Sequence, residues 1–488
     1  MPAVHPRRRF VLAACMMATF TAAVEGTIVA TAMPTIVAEL NGAELYSWVF
    51  SAFLLTQAVT IPIYGRLADL YGRKRIFLVG SGLFLIGSAL CGLANDITTL
   101  IVFRAVQGCG AGAVQPIAYT IVGDIYTPVE RARIQGMLSA VFGVAAISGP
   151  LMGSILVHAG SWRFVFWINM PIVVAAMAMV SIFLRADAPS HRHRIDFGGA
   201  ILLITGIGAV IIAADRWRQI GWSNVLLAFA IGAVSLIALV FHERRTQEPM
   251  LPASLWHSRI IIVGGLGALT VGVAIMSVTA FIPPFLQAAM GRTASVAGMV
   301  LGVLMVVWML GSIVGGRTMV YLSYRTTGCA GAVMIMLGAS LLLTLTSGSP
   351  IGQVVASVSV LAFGLGFCNT TWIVSVQTQV SFEQRGSATS AIMFMRFLGQ
   401  ALGAAIGGVI LSFGFQFAAP EVAGALGGLL EHRSMGLSGV DLADMTAAAS
   451  RAFRGVFVMT AVMGLATLAL ASRLPRGLSA SSPARSTS

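Results

Sequence analysis

Charge is scarce in this sequence: 10% of its 488 residues are Asp, Glu, Lys or Arg, where a soluble globular chain carries about a quarter. With 57% of its residues hydrophobic, it has too little polar surface to cover itself in water, which excludes an ordinary soluble fold. Acids are scarcer than bases, 17 against 30, for a formal net charge of +13. That excess does not point to a nucleic acid, because the basic residues are scattered through short connections and not gathered on one face; no nucleic-acid partner is expected. Cysteine is sparse too. Cys15, Cys91, Cys109, Cys329 and Cys368 lie inside apolar runs without CxxC spacing, so they read as small buried hydrophobes and build neither a disulfide framework nor a metal site. HExxH, GxSxG and Walker patterns are absent, as are paired carboxylates within the apolar runs. No enzyme activity, metal or cofactor is therefore expected.

What the chain has in abundance is long apolar runs, each long enough to cross a hydrocarbon layer of about 30 Å as a helix. They fall at 10–32, 46–67, 76–94, 99–122, 135–157 and 164–184, then 197–214 and 223–241, then 260–285, 297–319, 328–346, 354–376, 389–415 and 453–471. The expected fold class is an all-α polytopic membrane protein with 14 spans, in which two extra central helices separate two bundles of six. Arg7, Arg8 and Arg9 ahead of the first run imitate a secretory signal, but the run continues past any cleavage site and reads as a retained first span. With the N-terminus in the cytoplasm, most Lys and Arg residues face inward, among them Arg73, Lys74 and Arg75. Few face outward, such as Arg163, Arg292 and Arg433, so the positive-inside rule supports an N-in, C-in arrangement. The organisation is a cytoplasmic N-terminus (1–9), a first bundle (10–184), the two extra helices with flanking linkers (185–259), a second bundle (260–471) and a cytoplasmic tail (472–488). The stretch 416–451 is the single long loop, expected outside with short surface helices. Gly110, Gly112, Arg131, Gly149 and Gly153 recur at one constant offset as Gly364, Gly366, Arg385, Gly403 and Gly407, an internal repeat that links the two bundles. Trp48, Trp162 and Trp222 lie near the expected interfaces and read as anchors.

The connection after the second span reads Gly65-Arg66-Leu67-Ala68-Asp69-Leu70-Tyr71-Gly72-Arg73-Lys74-Arg75 and resembles the loop signature of the major facilitator superfamily. The resemblance implies that Asp69 docks on the opposite half, that Arg73 pairs with Asp124, and that Gly65, Asp69, Gly72, Arg73, Lys74 and Asp124 together latch a cytoplasmic gate. The second bundle keeps only Gly316, Arg317 and Arg325 of this signature, with Val320 in place of the acid, so the latch should be one-sided. In the fifth span Gly136, Ala145, Gly149, Pro150, Gly153 and Ser154 resemble the motif of facilitator antiporters, with Ala145 and Ser154 where the family carries Gly. Small residues there allow close helix approach. The run Trp162 to Pro171, the run Pro284 to Gly291, Arg385-Gly386-Ser387-Ala388 and the run Arg396 to Gly403 are similar to segments of the fourteen-helix drug:proton antiporters of the EmrB/QacA type. The parallel repeat also agrees with a facilitator plan, in which repeats flank a midplane site.

Helix one carries Val24-Glu25-Gly26-Thr27 and continues to Met33-Pro34, similar to a family motif that has Asp at the position of Glu25. An acid in the middle of a span costs several kcal/mol when charged and marks a functional site. Arg104 in the fourth span lies at a similar depth, so it can pair with Glu25, and competition between proton and substrate for that pair gives antiport a physical basis. A static bridge holding two helices together is the alternative. Glu25 and Arg104 are the proton-coupling candidates, with protons as coupling ion. Gln57, Phe281, Gln287, Trp308, Asn369 and Trp372 are the substrate-pocket candidates, since amphipathic ligands suit apolar pockets with few polar groups. The partners expected are the lipid bilayer of a bacterial inner membrane and a small-molecule substrate. The protein should be a monomer, with a periplasmic adaptor left open. Three functions stay open: export of amphipathic or cationic drugs, export of one metabolite, lipid or siderophore, and a non-transporting sensor.

Overall fold

The computed structural model describes residues 8–40, 45–185, 196–243, 245–246, 258–418 and 442–475, and every regular element among them is helical. The first bundle comprises α1 (Arg8–Leu40), α2 (Tyr46–Tyr71), α3 (Arg73–Gly92), α4 (Ile97–Ile125), α5 (Pro128–Ala159), the short α6 (Phe164–Trp167) and α7 (Asn169–Phe183). After α8 (Phe197–Glu243) come α9 (Arg259–Pro284), a π-helical turn (Phe285–Ala289), α10 (Ala294–Tyr321), α11 (Tyr324–Leu343), α12 (Ile351–Gln379), α13 (Arg385–Ala418) and α14 (Leu442–Ala471).

Among the described residues, 13 helices are long and apolar enough to cross a membrane, and a shorter apolar helix covers Gly198–Ala209. The two extra central spans form α8, whose helical path breaks at Gly221 with φ 75° and ψ 155°, a conformation open to glycine because it lacks Cβ. Asp196 accepts a hydrogen bond from the backbone N–H of Gly199 and pairs with His242 Nε2, both at 2.8 Å. One end of the first segment therefore lies beside the far end of the second, and the two run back along each other.

Several expected boundaries move outward. Helix α5 begins at Pro128 and not at 135, because Thr127 and Glu130 close a capping box and proline suits the first turn. Helix α2 runs through Tyr71, so Asp69 sits on its last turn and not in a loop. Only Gly72, at φ 92°, separates α2 from α3. The sixth span is two helices meeting at Ile168. The expected outer loop shortens from both sides, since α13 reaches Ala418 and α14 starts at Leu442; the surface helices expected within it lie outside the described residues, as does most of the tail. Trp162 is no lipid-facing anchor. It is 1% exposed and packed in an apolar cluster with Ile28, Val49, Leu100 and Phe166. The side chain of Trp222 lies outside the described residues.

The chain divides into two compact units. One takes in residues up to Ile262 together with Ile373–Phe394, and the other takes Val263–Trp372 and Met395 onward. In the first unit α4 packs on α2 and α3, and α1 packs on α5 and α7. Gly110 of α4 lies so close to α3 that a Cβ there would stand 2.2 Å from Phe84 N and 2.8 Å from Gly80 O. Its repeat counterpart in the second unit, Gly364 of α12, is held equally close to α11, 2.5 Å from Gly331 O and 2.7 Å from Ile335 N. The repeat in sequence is thus a repeat in packing. Neither backbone can retreat without moving a helix, so we expect Gly110→Leu and Gly364→Leu each to cost about 1–3 kcal/mol, read as a lower thermal unfolding midpoint in detergent. Gly298→Ala, with nothing within 4 Å, should leave the midpoint unchanged or raise it.

Candidate functional site

Glu25 lies mid-helix in α1 and is fully buried, and Arg104 of α4 is 1% exposed. Arg104 Nη1 donates to Glu25 Oε1 and, at 2.7 Å, to Gln107 Oε1. Its Nε donates to Val49 O at 3.1 Å, and its guanidinium lies 4.2 Å from the Phe53 ring centroid. The spacing of Arg104 and Gln107, one helical turn apart on α4, places both on one face. Gln107 Nε2 then donates to Ser88 Oγ at 3.2 Å, and Ser88 Oγ donates to Phe166 O at 2.8 Å. Asn169, first residue of α7, donates from Nδ2 to the second carboxylate oxygen, Glu25 Oε2. Two buried charges are tolerable at this depth only because each is met by its opposite and by further hydrogen bonds. Gln107 and Asn169 carried no role in the sequence reading. Asn169 was visible only as part of the Trp162 to Pro171 run, and the signal that singles it out is its placement against Glu25 across 144 residues.

Within the same unit a second polar cluster gathers around Asp69. Its carboxylate accepts from the backbone N–H groups of Gly386 and Ser387, at 2.9 and 2.6 Å, and from Ser387 Oγ at 2.7 Å. These amides belong to the first turn of α13, where donors lack intrahelical partners and the helix dipole favours an anion. Arg73 Nη2 donates to Asp69 Oδ1 and Arg73 Nε to Asp124 Oδ2, both at 3.0 Å. Arg385 Nη1 also reaches Asp124. Two carboxylates and two guanidinia thus alternate, and Phe382 covers them with its ring 4.3 Å from Arg73. Gly65 has no room for a side chain, as a Cβ would stand 2.2 Å from Ser390 Oγ. Lys74 takes no part in the cluster. Its Nζ donates to Ser181 O and Leu184 O at 2.6 and 2.8 Å, closing the C-terminal end of α7.

The repeat reappears in this cluster as a reciprocal pair. Arg131 Nη1 donates to Gln377 O at 3.3 Å, and its counterpart Arg385 donates to Gly123 O at 3.1 Å; Gly123 and Gln377 are themselves counterparts at the same offset. The Gln377 side chain bridges Tyr119 O and Thr389 Oγ1, both at 3.2 Å, and accepts from Gln135 Nε2 at 3.5 Å. Gly123 leaves it room, since a Cβ there would stand 3.2 Å from Gln377 Cδ.

The antiporter-motif residues pack α5 on α1. Gly149 faces Val24 and Thr27, and Gly153 faces Ile28 and Thr31. Gly136 is buried, and the helix continues through Pro150. The pocket candidates divide between the units, Gln57 in the first and Phe281, Gln287, Trp308, Asn369 and Trp372 in the second. Gln57 and Trp308 lend their backbone carbonyls to the close approach of Gly112 and Gly366. The Phe281 ring lies against Gly407, the enclosed Trp372 ring against Gly267, and Gln287 Nε2 bonds back to Pro283 O at 3.3 Å. Asn369 Oδ1 accepts from Arg396 Nη1 at 3.0 Å, which sets a buried guanidinium beside it. Among the described residues no group of three or more His, Cys, Asp or Glu could hold a metal ion.

The family model of the Major Facilitator Superfamily matches residues 15–404. The chain belongs to this superfamily. It is a multi-pass membrane transporter, not an enzyme. Among its relatives is "Multidrug resistance protein 3" of Bacillus subtilis (strain 168), 34% identical over 405 residues, covering 82% of this chain and 79% of the relative. "Multidrug transporter protein MdtP" of the same organism is 30% identical over 411 residues, covering 83% and 76%. "Efflux pump FUS6" of Gibberella fujikuroi is 27% identical over 431 residues, covering 84% and 76%. The crystal structure of the human organic anion transporter MFSD10 (TETRAN) superposes with a TM-score of 0.62 at 15% identity, over 96% of this chain and 99% of that one, a likeness of fold.

Removing Asp69 strands the amides of Gly386 and Ser387. In Asp69→Ala, hydrogen exchange at the start of α13 should accelerate by about tenfold or more, measured by mass spectrometry, while exchange at the start of α11 stays as in the parent.

Proposed function

We propose that this transporter exports small amphipathic or cationic compounds across a bacterial inner membrane in exchange for protons, by alternating access. The fully buried Glu25, ion-paired with Arg104 in an apolar surround, carries this reading. A carboxylate there changes its partners when it takes up a proton, and that change can be linked to which face is open. The multidrug and efflux names of relatives at 27–34% identity support drug-like cargo. In this reading the chain is a fourteen-helix, N-in, C-in antiporter of the EmrB/QacA type and works as a monomer. It needs only protons as coupling ion and has the bilayer and its cargo as partners. Along the chain the first bundle (10–184) precedes the two extra helices and the second (260–471) follows them, and the Asp69 cluster is a cytoplasmic clasp that holds the inner face closed. Gln57 in one unit, and Phe281, Gln287, Trp308, Asn369 and Trp372 in the other, are the cargo-binding candidates.

The test is dye transport by purified protein in proteoliposomes under an imposed pH gradient. Wild type should accumulate several unrelated cationic dyes, and Glu25→Gln should slow gradient-driven transport by about tenfold or more. Undiminished, gradient-dependent transport by Glu25→Gln would remove the carboxyl from the mechanism. Transport of a single compound by wild type would replace the broad-export reading with a dedicated one.

A further inference from the structure

The two amides flanking the Glu25–Arg104 pair are held in different ways. Gln107 is locked. Ser88 spends its hydroxyl proton on the Phe166 carbonyl, which can only accept, so Ser88 must accept from Gln107. The Gln107 NH2 group therefore points to Ser88 and its oxygen to Arg104. Asn169 has no such constraint. It is fully buried and its Nδ2 donates to Glu25 Oε2, but its Oδ1 has no hydrogen-bond partner among the described residues. A buried amide oxygen left unmatched is costly, so its presence beside a titratable group asks for a second state in which it is used.

That second state is the protonated carboxyl. An ionised carboxylate only accepts, whereas a protonated one gains an O–H donor. An asparagine offers NH2 to the first and, after half a turn about its terminal bond, a carbonyl to the second. When Glu25 becomes neutral Arg104 gives up its counter-charge but keeps its hydrogen bonds to Val49 O and Gln107 Oε1 and its place over the Phe53 ring. On this geometry we propose that Asn169 is a positioning residue for proton coupling, an amide that turns to serve both protonation states of Glu25. A proton from water on the outer face adds to Oε2, the new O–H donates to Asn169 Oδ1, and on release to water the amide turns back to donate through Nδ2. Arg104, Ser88, Cys91 and Gln107 are the other charged or polar groups gathered around Glu25.

The proposal rests on the proton-exchange reading above, and the experiment separates the two. In proteoliposomes, substrate-for-substrate exchange can run with Glu25 ionised throughout, whereas gradient-driven transport needs the protonated form in every cycle. Asn169→Leu should slow gradient-driven transport by about tenfold or more and slow exchange less, since exchange loses only the Nδ2 donor whereas the driven cycle loses the donor in one state and the acceptor in the other. Asn169→Gln, which restores an amide, should recover the driven mode to within about threefold. If the leucine variant does not fold, Asn169→Ala removes the amide without bulk and is read in the same way. Driven transport unchanged by loss of the amide, or exchange and driven transport falling together, overturns the role of Asn169. Absence of gradient-driven transport in wild type instead overturns the proton-exchange reading on which it rests.

Discussion

Burying a carboxylate and a guanidinium inside an apolar bundle is the constraint from which much of the first unit follows. Removing one charge from water costs several kcal/mol even after relaxation, and the mutual attraction repays it only when the remaining lone pairs and protons are also met. Around Glu25 and Arg104 the matching groups come from five helices: Val49 and Phe53 on α2, Ser88 on α3, Gln107 on α4, Phe166 on α6 and Asn169 on α7, with Glu25 itself on α1. Close packing is what makes such a set reachable. α4 can approach α3 closely because Gly110 has no side chain, and without that approach the Gln107 to Ser88 bond would not form. The glycine pattern and the polar network are thus two aspects of one requirement.

The Asp69 cluster solves a similar problem by other means. Its carboxylates and guanidinia balance in number, and the surplus capacity of Asp69 is taken up by the unpaired amides of a helix start. The repeat explains its shape. Arg131 and Arg385 each reach the carbonyl of the residue that corresponds to the other's target, and Gln377 fills the space that Gly123 leaves open. The symmetry stops at the acid, since Val320 stands where the second half would carry one, and among the described residues the Asp69 contacts have no counterpart there.

Much of the helix inventory was legible in the sequence because hydropathy is a local property. Runs of apolar residues leave water wherever they occur in the chain, and the structure finds helices at each of them. Boundaries were less legible. Thr127 and Glu130 announce the start of α5 through their capping spacing, but the end of α2 depends on Gly72 taking a positive φ, which the letters permit without requiring. Trp162 shows the opposite failure. A tryptophan near an expected interface reads as an anchor, and only the packing of α6 against its neighbours shows it buried.

By itself the sequence determined the membrane as solvent, the repeat, the signature residues and the presence of one acid deep in a span. It also placed Glu25 and Arg104 at similar depth, since rise per residue is a constant of the α-helix. Which side chain meets which was decided by the tertiary structure alone. Glu25 lies 79 residues from Arg104 and 144 from Asn169, and such meetings depend on the rotation and spacing of whole helices. Hydropathy is summed along the chain, whereas hydrogen bonds between side chains are settled across it.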